Sequence, residues 1–230
     1  MRVERIGPAR AVRVGSRDEL VAAAAALGLR TGAPVLVVVG GADTMATDEE
    51  ARMRAFMEVL VPHLDRAGAT VVDGGTATGV MRAVGEARLA ASGRFPLVGV
   101  VVDALARRSG SDTSEGGATL EPAHTHFLLV PGEDWGDEST WLAEFAAVLA
   151  EEAASLTLLA NGGEVAWQDV ARSVELDRGV VALAGSGRAA DELASGSSPR
   201  ARELRESGLI EAVEVDRPLE ALAATVGRLG

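Results

Sequence analysis

Short runs of apolar and β-branched residues alternate along this chain with longer stretches whose apolar positions recur every three to four residues. Residues 34–39 (PVLVVV) form an uninterrupted apolar run that ends on Gly40 and Gly41, the pattern of a strand buried on both faces. Thr47 and Glu50 then have the spacing of a capping box. Met53, Phe56, Met57, Leu60 and Leu64 follow at helical intervals. The alternation continues, predicting strands at 70–73, 97–102, 125–130, 155–160, 180–183 and 209–215. The helices expected between them run over 79–91, through Trp141, Leu142, Phe145 and Leu149, over 165–177, from Arg188, and over 219–229. Strands that alternate with helices imply an α/β fold, a Rossmann-like, mainly parallel sheet with helices on both faces. Residues 1–33 are expected to add one or more edge strands and a helix. Without an exact repeat or a linker, residues 1–230 are read as a single domain.

Composition narrows the chemistry. The chain has no cysteine, lysine or tyrosine, which excludes disulfides, thiolate nucleophiles, a P-loop lysine and Schiff-base chemistry. Asp, Glu, Arg, Ser, Thr and three histidines remain. A formal net charge of −12 argues against nucleic acid as a partner, since a polyanion needs a concentrated basic face. A small anion is still compatible, because backbone N–H groups at helix N-termini can hold it. No apolar run reaches the roughly 18–20 residues that span a bilayer, and the first residues lack a signal-peptide pattern. The reading is therefore a cytoplasmic protein without a membrane partner, and association with further copies of the chain is left open.

Glycines cluster where strands end: Gly40-Gly41, Gly74-Gly75, Gly162-Gly163 and Gly185-Ser186-Gly187. The carboxyl ends of parallel strands form the ligand crevice of an open α/β sheet, and glycine lets backbone approach a ligand closely. The plainer explanation for any one pair is a tight strand-to-helix turn. Four together point to a crevice for phosphate or ribose. Residues 185–190 (GSGRAA) also match the dinucleotide fingerprint, with Glu211 and Glu214 near the expected ribose-binding distance. Only about one more βα unit follows, so a nicotinamide-dependent oxidoreductase is a secondary reading. Glu121, His124 and His126 form a second cluster; without a third firm ligand beside the histidines, hydrogen-bonding side chains are favoured over a metal site. Trp135 and Trp167 could stack on a base or pack. Residues 103–119, centred on SGSDTSEGG, read as a polar surface loop that would emerge beside the crevice as a lid or a plain insertion.

Three stretches in order, residues 71–87 (VVDGGTATGVMRAVGEA), 120–130 (LEPAHTHFLLV) and 180–194 (VVALAGSGRAADELA), resemble the SLOG superfamily, specifically the prokaryotic relatives (LSDAT) of the cytosolic N-terminal domain of TRPM channels. Residues 35–44 (VLVVVGGADT) fit as well, and the resemblance runs from about Pro34 to the end. It implies a soluble nucleotide-binding module or sensor for an ADP-ribose-like ligand, with no cofactor and no resident metal. In that picture Gly74, Gly75, Thr76 and Gly79 cradle phosphate or ribose; Gly40, Gly41, Gly162 and Gly163 are expected to contact ligand as strand-end glycines. Gly185, Ser186, Gly187 and Arg188 form a second clamp, and Glu121 and His124 line the pocket between. A related branch hydrolyses nucleotides at a PGGxGTxxE block. Here Asp73 stands in place of its proline and the acid comes later, as Glu86. Hydrolysis of an N-glycosidic or phosphodiester bond is therefore the alternative, with Glu121 or Glu164 as its carboxylate, and the catalytic residues are left unassigned. A purely structural oligomerisation domain is a further alternative.

Overall fold

The computed structural model describes residues 1–41, 47–108 and 116–229. Its strands are β1 (Val3–Ile6), β2 (Ala9–Arg13), β3 (Val35–Gly40), β4 (Thr70–Asp73), β5 (Leu97–Val102), β6 (Ala106–Arg107), β7 (Ala118–Thr119), β8 (His126–Val130), β9 (Ser155–Ala160), β10 (Gly179–Ala184) and β11 (Ile210–Glu214). Its helices are α1 (Leu20–Leu27), α2 (Thr47–Ala67), α3 (Gly79–Ala90), α4 (Ser139–Ala150), α5 (Glu164–Glu175), α6 (Arg188–Ser195), α7 (Pro199–Glu206) and α8 (Pro218–Leu229). Nine strands make one sheet in the order β1-β2-β8-β5-β4-β3-β9-β10-β11. Every pairing in it is parallel except the β1–β2 hairpin. The expected N-terminal edge is thus a hairpin whose second strand joins β8.

The alternation of side chains along each strand builds a core on either face of the sheet. Val35, Val37 and Val39 of β3 pack in one core with Leu142, Phe145 and Val170 from α4 and α5. Leu36 and Val38 pack in the other with Phe56, Leu60 and Val84 from α2 and α3. From β3 the chain first adds β4 and β5 on one side and later adds β9, β10 and β11 on the other. The direction of winding therefore reverses between β3 and β9, and the connections leaving their carboxyl ends diverge. That is where an open α/β sheet leaves its crevice.

Two parts of the sequence pattern are altered by this context. Helix α7 has no apolar stripe to betray it, since Ala201 is its buried residue. The polar segment at 103–119 has ordered ends: a 3₁₀ turn at Asp103–Leu105, then β6 paired in parallel with β7. The centre of that segment, residues 109–115, and the side chain of Thr47 with its expected capping role fall outside the described residues.

The turn after β4 is held by a buried charged network. Asp73 Oδ1 accepts hydrogen bonds from the Gly75 N–H at 2.7 Å and from His124 Nε2 at 2.7 Å. His124 Nδ1 lies 2.9 Å from Glu121 Oε2, which also accepts from the Ala123 N–H at 2.8 Å. All three side chains are buried, and Phe127 stacks on the imidazole at 5.3 Å. Burial alone would lower the His124 pKa, but the charges and hydrogen bonds of Asp73 and Glu121 outweigh it and raise it to about 9. His124 is accordingly an imidazolium at neutral pH, donating from both nitrogens. Gly85 of α3 makes room for the network, because a methyl group there would meet the Glu121 carboxyl at 2.4 Å.

Two outcomes are expected. His124 titrates near 6.5 when unfolded and near 9 when folded, so its contribution is complete below pH 6.5 and is lost as pH rises through 9. Urea midpoints of the wild type should fall over that window. His124→Gln should cost about 3–5 kcal/mol at pH 7, the range for breaking a buried ion pair, and flatten the profile. A wild-type midpoint that stays level between pH 6.5 and 9.5 would contradict the network. The second concerns Gly75, at φ +69°, where a methyl group would lie 2.7 Å from Val101 Cγ2 and 2.9 Å from Gly99 Cα. Gly75→Ala should destabilise by about 1–3 kcal/mol through overpacking. Gly74→Ala, whose nearest neighbour would be Met81 at 3.9 Å, should stay within about 0.5 kcal/mol of wild type.

Candidate functional site

A cavity of about 1140 Å³ opens at the carboxyl ends of β3, β4 and β9. Its floor is Val38–Gly41 and the turn Gly74, Thr76, Ala77 and Thr78. One side is the first turn of α3, with Met81 and Arg82, and the segment 116–119. The facing wall is Trp135, Glu138 and Leu142 from the approach to α4, then Gly163 to Ala166 and Asp169 of α5, with Arg188 of α6 at the edge. This volume suits a nucleotide-sized ligand.

Helix α5 presents its N-terminus to the cavity. Gly163 is its N-cap and offers no side-chain acceptor, so the first-turn N–H groups of Glu164, Val165 and Ala166 have no capping partner among the described residues. Glu164 would oppose an anion there, but Arg200 holds its carboxylate at 2.7 Å. Arg188 lies over the same end: a methyl group on Gly163 would meet Arg188 Nη2 at 2.9 Å. Arg188 has a left-handed φ of +48°, uncommon for a residue with a side chain, and among the described residues its guanidinium has no hydrogen-bond or ion-pair partner. Arg82, the other cation lining the cavity, donates twice to the Ala77 carbonyl. Together these make an electropositive corner built from dipole and guanidinium.

The opposite character appears one and a half turns along α5. Asp169 is 8% exposed and Glu138 is 7% exposed, both on the cavity wall. Glu138 Oε2 accepts from the Gly136 N–H at 2.8 Å, whereas Asp169 Oδ1 is buried without a partner among the described residues. Burial pushes Asp169 up to about 7; the Ser139 hydroxyl opposes this, and the nearby Glu138 charge adds a smaller push upward. Burial raises Glu138 too, against the pull of backbone N–H groups. Trp135, 37% exposed at the mouth, donates from Nε1 to the Gly116 carbonyl at 3.1 Å and so ties the end of the polar segment to the rim.

The residues expected to contact ligand divide into two sets. Gly40, Gly41, Gly74, Thr76, Gly163 and Arg188 line the cavity. Gly75 is turned into the sheet against Gly99 and Val101, Gly79 is buried at the start of α3, and Gly162 packs on Ala166. Glu121 and His124 stand behind the floor in the buried network and do not line the cavity, because both their polar ends are taken up by Asp73, Ala123 and each other. The Gly185-Ser186-Gly187 turn is a brace: the Ser186 hydroxyl accepts from the Asn161 N–H at 2.8 Å and donates to the Leu183 carbonyl. Gly185 instead borders a second groove of about 810 Å³ with Glu211 and Glu214. Glu86 is exposed on α3, where it lines a shallow pocket with Glu50 and Arg54. Trp167 is buried beneath the Arg200 guanidinium, 4.3 Å from its ring. Among the described residues no group of acidic and histidine side chains is arranged to hold a metal, and no helix is long and apolar enough to cross a membrane.

Glu138 and Asp169 are the wall residues that sequence reasoning missed. The signal for Asp169 was its place on the apolar stripe of α5, three residues after Ala166 and one before Val170.

Solved structures share this architecture. A crystal structure of TM1055, a structural-genomics target, matches with a TM-score of 0.56 at 19% identity, over 83% of this chain and 99% of that one. The molybdenum cofactor carrier protein of Chlamydomonas reinhardtii matches with a TM-score of 0.55 at 18% identity, over 86% of this chain and 98% of its own. At such identities the likeness is one of fold. No protein of curated function matches the sequence. The profile of the family described as "SLOG in TRPM, prokaryote" matches residues 33–223, which hold β3 to β11 and every wall of the cavity. The chain belongs to that prokaryotic SLOG family.

Proposed function

We propose that the protein is a binding module or sensor for a nucleotide-derived ligand of the ADP-ribose class, held in the cavity at the β3–β9 divergence. The observation that carries this reading is the Arg188 guanidinium, without a partner among the described residues, lying over the N-terminus of α5. A diphosphate there would take backbone donors from Glu164–Ala166 and a forked pair from Arg188. Gly40, Gly41 and Gly74 offer backbone to a ribose at the floor. Val38, Val39, Leu142 and Ala166 give the remaining surface an apolar character suited to a base. Membership in the SLOG family supports the same ligand class.

Hydrolysis is the second reading, and the carboxyls of Glu138 and Asp169 on the cavity wall favour it. Calorimetry and thermal shift with ADP-ribose, NAD, AMP and ATP, followed by product analysis, test both readings. A ligand at 100 times its Kd should stabilise the fold by about 2.7 kcal/mol. Arg188→Ala should weaken binding by about 1.5–3 kcal/mol, the range for a charge-assisted hydrogen bond, with no loss of folding. Absence of binding across the panel, or unchanged affinity in that variant, would contradict the proposal.

A further inference from the structure

The two carboxyls on the α4–α5 wall are the most unusual groups in the cavity. Asp169 is set in the middle of α5, five residues or about 7.5 Å along the axis from Glu164 at its open end. Around it the lining is apolar: Ala166 lies three residues before it on the same helix, and Leu142 lies four residues after Glu138. A polar atom buried without a partner costs stability, yet among the described residues Asp169 Oδ1 is held in that state on the wall of a ligand-sized cavity. Phosphates bound at the N-terminus of α5 would leave the base to reach this end.

The charges around Asp169 decide its form. Helix α5 packs on β3, β9, β10, α4 and α6. The three strands carry no ionisable side chain. From α4 and its leading turn come Glu138 and Glu144, the latter occupied by Arg17 at 2.8 Å. Asp137, next to Glu138, accepts from the N–H groups of Glu133 and Asp134. From α6 come Arg188, over the α5 N-terminus, Asp191, which accepts from the Gly185 N–H, and Glu192. On α5 itself Glu164 is paired with Arg200, and Arg172 with Glu175. Arg82 across the cavity is spent on Ala77. No cation in this set is bonded to Asp169; the charge that acts on it is Glu138, a like one, which joins burial in holding its proton near pH 7.

We infer that Asp169 binds the ligand as a neutral carboxylic acid, donating a hydrogen bond to a ring nitrogen of the base and accepting one from an adjacent amino group. The cavity thereby selects a nucleotide whose base has an aminopurine-type edge, and binding is coupled to retention of one proton. This rests on the nucleotide reading above and extends it to the base. A neutral acid carries a donor and an acceptor side by side, whereas a carboxylate only accepts. Asparagine reproduces the donor–acceptor pair without titrating, which makes it the informative substitution.

The test is calorimetry with ADP-ribose, whose diphosphate does not titrate in this range, from pH 5.5 to 8.5 on wild type, Asp169→Asn and Asp169→Leu. Wild-type affinity should fall about tenfold per pH unit above pH 7, as linkage to one proton requires. Asp169→Asn should bind within a few-fold of the low-pH wild type and show no such fall, and Asp169→Leu should bind weakly at every pH. Ribose 5-phosphate, which lacks a base, should show no difference in pH dependence between wild type and Asp169→Asn. The same pH dependence in wild type and Asp169→Asn, or wild-type affinity in Asp169→Leu, overturns the inference and leaves the nucleotide reading standing. A pH gap between wild type and Asp169→Asn that persists with ribose 5-phosphate overturns the assignment to the base. If folded wild type binds neither ADP-ribose nor ribose 5-phosphate at any pH, the nucleotide reading itself falls, and this inference with it.

Discussion

A parallel sheet wound outward in both directions from one pair of strands cannot cover the carboxyl ends of that pair with its own connections. In this protein the pair is β3 and β9, and they run so close that a methyl group on Gly40 would meet the Ala160 carbonyl at 2.0 Å. From their ends the chain departs to opposite faces of the sheet, into α2 on one and α5 on the other. The gap, the exposed backbone beside it and the open end of α5 all follow from that divergence. The chemistry of the site is largely what the topology leaves uncovered, to which Arg188, Glu138 and Asp169 add three side chains.

The floor of the cavity needs a support of its own, since glycine-rich turns have little to hold them. The His124 imidazolium supplies it by bridging Asp73, at the end of β4, to Glu121 in the segment that precedes β8. The Glu121 N–H in turn donates to the Gly75 carbonyl at 2.9 Å. Removing His124 leaves two buried carboxylates without their shared partner, and removing Asp73 or Glu121 leaves one imidazole N–H unsatisfied. The wall carboxyls show the contrary arrangement. Among the described residues no cation pairs with Asp169, so it lowers stability when ionised, as is common for groups kept for a ligand.

Much of this was legible in the sequence because the sheet is buried on both faces. PVLVVV, LVGVVV and GVVALA are short, valine-rich and bounded by glycine or proline, which reads as central strands, and the glycines near their ends mark the ligand edge. What the sequence could not show was the direction in which each glycine faces. Gly74 and Gly75 are neighbours, yet one borders the cavity and the other lets Val101 and Gly99 approach. The GSG turn has the look of a phosphate loop, but its serine is spent on the Asn161 turn, so of that motif Arg188 alone borders the cavity. His124 stands beside cavity-lining segments in sequence and still points behind them. Asp169 was concealed for the opposite reason: an acid in mid-helix reads as solvent-facing until α4 is seen packed over it.

A crystal structure of the complex with ADP-ribose is the most direct measurement of the central claim, that the divergence of β3 and β9 builds a nucleotide site with its anion corner at α5. The account requires diphosphate oxygens within hydrogen-bond distance of the N–H groups of Val165 and Ala166 and of the Arg188 guanidinium. Ligand density in the groove beside Glu211 and Glu214, or phosphates remote from α5 and Arg188, would contradict it.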